Sequence, residues 1–62
     1  MLFSVDFDIR INESFCTVHT AFVPAESVSE CMDIAEGMKE TIPANKDHYV
    51  HIFIEQVEDL IC

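Results

Sequence analysis

The sequence predicts an α+β domain: a three-stranded antiparallel sheet in β-β-α-β order, spatial order 2-1-3, with one helix packed on one face. Three observations carry this. "LFSVDFDIRI" alternates apolar and polar residues with period two, the mark of a half-buried strand, and "HYVHIFIEQV" is a strand-like run that is partly apolar on both sides. "AESVSECMDIAEGMKET" repeats its apolar residues at helical spacing. A helix between strands two and three lets the chain run back across the sheet, so strand three pairs antiparallel to a central strand one.

In the first strand Phe3, Val5, Phe7, Ile9 and Ile11 point one way, and Ser4, Asp6, Asp8 and Arg10 the other. A turn at "NES" leads into "FCTVHTAFV". Its register decides its faces, because a slip of one residue exchanges them. Pairing Ile11 with Cys16 is expected, since it adds Cys16, Val18 and Phe22 to the apolar face. Phe15, Thr17, His19, Ala21 and Val23 then lie outside. Pro24 suits a first helical turn, and Ser27 with Glu30 fits a capping box, which allows a start at Ser27. Val28, Cys31, Met32, Ala35, Met38 and Ile42 form the apolar stripe, and Pro43 ends the helix before the loop "PANKD". In the last strand Val50, Ile52 and Ile54 oppose Tyr49, His51 and Phe53. The tail "EDLIC" extends this strand or adds a short helical turn.

The 62 residues form a single domain, 1–62. A chain this short buries only about 60% of its unfolded surface, leaving little room for a deep catalytic pocket beside a core. Half of its residues are hydrophobic, which separates it from disordered acidic tails. Twelve acids against three bases give a net charge of −9. Such a charge draws cationic partners. It argues against direct binding to nucleic acid or to an anionic membrane, and a basic protein surface is the expected partner. Three cysteines, Cys16, Cys31 and Cys62, do not make a self-contained disulfide framework. The opening "MLFSVDFD" lacks a basic region and a long apolar run, so no signal peptide is expected. No apolar stretch approaches the roughly 20 residues of a membrane span. A reducing cytoplasm is the expected setting.

On a helical wheel Glu26, Glu30, Asp33, Glu36 and Glu40 fall within an arc of roughly 120° opposite the apolar stripe. Lys39 falls near the edge of the apolar side, where its stem can snorkel, and not among the acids. Local helix physics does not favour this arrangement. Glu26/Glu30 and Glu36/Glu40 are like-charge pairs four residues apart, each destabilising by a few tenths of a kcal/mol. Acids near the N-terminus suit the helix dipole, but Glu40 is at the wrong end. Gly37, in the same arc, weakens the helix by about 1 kcal/mol relative to Ala and leaves the backbone open to approach. The plain alternative is a solvated face that keeps a small protein soluble. Against it, acids continue elsewhere, at Asp6 and Asp8 and again at Glu55, Glu58 and Asp59. Carboxylates recurring along a helix can occupy an Arg- and Lys-lined groove that normally takes phosphates, because arginine grips both bidentately.

Other constellations are weaker. "CTVH" (Cys16, His19) and "HYVH" (His48, His51) resemble halves of a zinc site, but residues three apart on a regular strand point to opposite faces. No metal and no cofactor is expected. Cys31 lies on the apolar stripe and reads as core. No dinucleotide, Walker, zinc-protease or serine-hydrolase motif occurs, so the chain is read as a non-enzyme. Tyr49, His51, Phe53 and Phe15 form an aromatic patch on the open sheet face, with Tyr49 and Phe53 as anchors of a secondary interface. A homodimer through that face, or an adaptor role with the acids serving solubility, is the alternative function.

In its size, its charge and the helix "AESVSECMDIAEGMKET", the chain resembles the small acidic inhibitors that bacteriophages use against host defence, anti-CRISPR proteins among them. The resemblance spans the whole chain. It implies a small α/β fold without catalysis, acting in the bacterial cytoplasm. Some of these proteins occupy the target-DNA surface of a CRISPR surveillance complex. The expected function is thus inhibition by DNA mimicry. Glu26, Glu30, Asp33, Glu36 and Glu40 would make the main contacts, and Asp6 and Asp8 would extend the footprint.

Overall fold

The computed structural model describes residues 1–57. Within them the order is β1 (Leu2–Ile11), β2 (Ser14–Pro24), α1 (Val28–Lys39), a 3-10 turn at Pro43–Lys46, and β3 (His51–Val57). The strands form one antiparallel sheet in the order β2-β1-β3, as the patterning predicts. The alternation in β1 sets the core: Phe3, Val5, Phe7 and Ile9 are all buried, while Ser4, Asp6 and Asp8 between them are half-buried on the far face. Cys31 and Ala35 of α1 pack onto this apolar row together with Val23, Ala25, Ile42 and Val50. Met38, Ile52 and Ile54 fill its margin. Val28, expected in the stripe, is the first residue of α1 and is 57% exposed. The tail "EDLIC" lies outside the described residues.

The β1–β2 connection is tighter than the expected "NES" turn. Asn12 and Glu13 alone form it, with φ of 53° and 72°. Two positive φ values are the signature of a type I′ hairpin turn, whose twist matches that of the strands. Ile11 therefore pairs with Ser14, not Cys16. The parity at the turn is still the expected one, since Ile9 faces Cys16. The faces then reverse. Asp8 pairs with Thr17 but Phe7 with His19, so Val18 is an extra residue in a bulge. A bulge changes which residues share a face. Beyond it His19, Ala21 and Val23 turn to the core side and Phe22 turns out, 65% exposed. This corrects the expected assignment of Val18 and Phe22 to the apolar face. The reversal buries Val23, a β-branched residue at the helix-covered end, and leaves an aromatic on the open face.

Two reciprocal backbone bonds, Ala25 N–H to the Met1 carbonyl and the Met1 amino group to the Ala25 carbonyl, both 2.8 Å, extend the β1–β2 ladder and fix where the chain turns toward α1. Ser27 caps the helix by accepting the Glu30 N–H at 3.1 Å, one of the donors a helix start leaves unpaired.

Candidate functional site

Glu26, Glu30, Asp33, Glu36 and Glu40 are all exposed, but they do not have equal freedom. Glu30 is built into the cap: besides its N–H bond to Ser27, its Oε1 accepts the Glu26 N–H at 2.8 Å. Glu36 lies 3.5 Å from Lys39 Nζ, three residues on. This corrects the expectation that Lys39 stays apart from the acids. Its stem follows the apolar edge as expected, yet its ammonium turns back to Glu36 and also sits 5.0 Å above the Tyr49 ring, a cation–π distance. Asp33 and Glu40 make no side-chain hydrogen bond or ion pair among the described residues. They are seven residues apart, about 10 Å of helix rise, so they share the outward face of α1. Glu40 is the helix C-cap residue.

Asp6 and Asp8 are not on that side. In sequence they alternate with the buried row Val5, Phe7 and Ile9 of β1. In space they face away from α1, Asp6 next to Thr20 and Phe53, Asp8 next to Thr17 and His51. The sheet separates them from the helix carboxylates, so they do not extend the helix footprint. Asp6 Oδ1 accepts the Thr20 hydroxyl at 3.1 Å. Asp8 Oδ1 is buried with no hydrogen-bond partner among the described residues.

The open face carries the expected aromatic patch. Phe15 meets His51 and Phe53 edge-on, at centroid distances of 5.0 and 5.5 Å, and Tyr49 meets His51 at 4.8 Å. Phe15 is on β2 and His51 on β3, with Asp8 on β1 between them, so these rings lie over the strand that carries the buried Asp8 oxygen. At the free side of β3, a groove of about 220 Å³ runs between Tyr49–Phe53 and the Met32, Glu36 and Lys39 side chains of α1.

The bulge also revises the cysteine–histidine geometry. Because Val18 is extra, Cys16 and His19 share the core-side face, where a regular strand would separate them. His19 packs near Phe7, with centroids 5.6 Å apart. No group of three or more candidate metal ligands occurs among the described residues. Cys31 is fully buried, and burial pushes its thiol above its ordinary value. That holds it in the protonated, weakly nucleophilic form. No helix among the described residues is long and apolar enough to cross a membrane.

The chain matches no protein-family model, no curated protein and no solved structure.

Proposed function

We propose that this chain is a non-enzymatic inhibitor whose acidic surface occupies a basic, nucleic-acid-binding surface of a host complex. In its specific form it is an anti-CRISPR DNA mimic that blocks target-DNA binding by a surveillance complex in the bacterial cytoplasm. The observation that carries this reading is the outward pair Asp33 and Glu40. Both are exposed, neither has a structural partner among the described residues, and Glu40 opposes the helix dipole. Their position serves an external cation better than it serves the fold. Glu36 widens the same face, while Glu26, which precedes the extended N-cap Ser27 and so stands outside α1, adds charge beside the helix start. Glu30 contributes charge while its geometry is held by the cap.

The test is a target-DNA binding assay with purified surveillance complexes, in the presence and absence of the protein. Asp33→Lys/Glu40→Lys should abolish inhibition while the fold is retained, and inhibition by the parent should weaken as salt rises. Inhibition by the double variant equal to that of the parent would remove the acidic face as the contact.

A second reading is an adaptor or homodimerisation module using the open sheet face. The edge-to-face packing of Phe15, His51 and Phe53 beside the 71%-exposed Tyr49 favours it, since aromatic clusters on a surface are common binding anchors. In that case Tyr49→Ala/Phe53→Ala would abolish binding and the charge reversals would not.

A further inference from the structure

β2 is an edge strand of eleven residues, "SFCTVHTAFVP", without a single Asp, Glu, Lys or Arg. Charged residues make up 24% of the chain, so this strand stands apart. Proteins normally guard an exposed edge with charged side chains, because its unpaired N–H and C=O groups invite another strand. The other edge, β3, has such guards: Glu55 within it and Glu36 and Lys39 beside it. On β2 the exposed residues include Phe15, Val18 and Phe22, at 52, 37 and 65%.

We propose that two copies of this chain pair antiparallel through their β2 edges, joining two three-stranded sheets into one of six strands. Charge selects the occupant. Each copy carries −9, so copies repel wherever their acids meet. Within β2 there is no acid to oppose that of another copy; Glu13 and Glu26 stand just beyond its two ends, outside the stretch from Phe15 to Phe22, and the acids of α1 and Glu55 of β3 are on other elements. A basic partner strand would find no carboxylate on β2 to pair with, which makes a second copy the better fit. The bulge supports the register. In antiparallel self-pairing, residues whose numbers share a fixed sum face each other. Because Val18 shifts the alternation, pairing Phe15 with Phe22 also brings Cys16 to Ala21 on the core side and Thr17 to Thr20 on the open side, so faces match on both sides of the bulge. The two-fold axis then passes between Val18 and His19, normal to the sheet. Both copies of α1 end on the same side, which doubles the acidic surface. The pairing itself does not depend on that surface having a target.

Sedimentation equilibrium of the parent up to about 100 µM should give twice the 7.1 kDa chain mass. Val18→Lys and Phe22→Lys should each weaken the dimer at least about tenfold, although both reduce the negative charge and so reduce general repulsion. Phe22 is the more exposed, so Phe22→Lys keeps the test alive if Val18→Lys fails to fold. Phe53→Lys, on the open face of β3 at the far edge of the sheet, should leave the dimer intact. A parent that stays monomeric at every concentration overturns the proposal. So does a dimer that is lost in Phe53→Lys and kept in both β2 variants. Mass is read without any target present, so failure here is distinct from failure of the inhibitor reading.

Discussion

The Glu30 carboxylate accepts the Glu26 N–H at 2.8 Å while its own N–H binds the Ser27 hydroxyl. One acid of the charged face is therefore also part of what starts the helix. Ser27→Ala should lower stability by about 1 kcal/mol, read as a shift in urea midpoint. Glu30→Gln keeps an acceptor and should be nearly neutral, whereas Glu30→Lys loses it and adds a cation at the wrong end of the dipole. Charge reversal at Glu30 would thus confuse a binding defect with a folding defect, which is why Asp33 and Glu40 are the better pair to reverse.

Glu40 should show the opposite sign. As the C-cap residue of α1 it places a negative charge at the negative end of the helix. Glu40→Lys should raise stability by about 0.3–1 kcal/mol and also relieve the like-charge pairing with Glu36. A variant that is more stable in urea and weaker as an inhibitor would identify an acid kept for contact. If Glu40→Lys is less stable than the parent, the Glu40 carboxylate serves the fold and not a partner.

The strand alternation makes Phe3, Val5, Phe7 and Ile9 legible as core from the sequence, and the helical spacing does the same for Cys31 and Ala35. Strand order follows from the helix crossing. The β2 faces are not legible, because either register offers an apolar set and no glycine or proline marks the bulge at Val18. The Lys39–Glu36 contact is within reach of the sequence, since residues three apart adjoin on a helix. So is the placement of Asp6 and Asp8: they alternate with core residues, and the helix covers the core side, which leaves them on the far face from Glu30 and Asp33.

The hairpin turn holds Glu13 at a φ of 72°, where a side chain is strained by roughly 1–2 kcal/mol and glycine is not. Glycine loses about 0.5–1 kcal/mol more chain entropy on folding, so Glu13→Gly should stabilise by about 0.5 kcal/mol net. Asn12, already suited to this region, should not benefit in the same way. Thermal unfolding of the two glycine variants side by side reads the difference.

Asp8 keeps one carboxylate oxygen buried without a hydrogen bond among the described residues, and such an unsatisfied group destabilises by about 1–3 kcal/mol. Asp8→Thr removes the carboxylate and supplies a β-branched residue to the central strand. It should raise the urea midpoint. A loss of stability would show that the carboxylate has a partner in solution, and Arg10, two residues along the same face of β1, is the cation to test next.

Cys31 predicts how stability depends on alkaline pH. Its thiol is raised above the ordinary value of 9.0 by desolvation in the core. In the unfolded chain the thiol ionises once pH exceeds that ordinary value, while in the folded chain it keeps its proton. The unfolded state then binds fewer protons, so stability falls as pH rises. The contribution is complete below pH 9.0 and is lost progressively through the raised folded value. Cys31→Ala should be less stable at neutral pH because it leaves a cavity, but its stability should decline less steeply above that point. The same burial should protect Cys31 from alkylation in the native state while exposed Cys16 reacts, which peptide-resolved mass spectrometry can read. An equal alkaline slope in parent and variant would show that Cys31 ionises as readily in the fold as out of it, and would place solvent in the core it shares with Phe3, Val5 and Ala35.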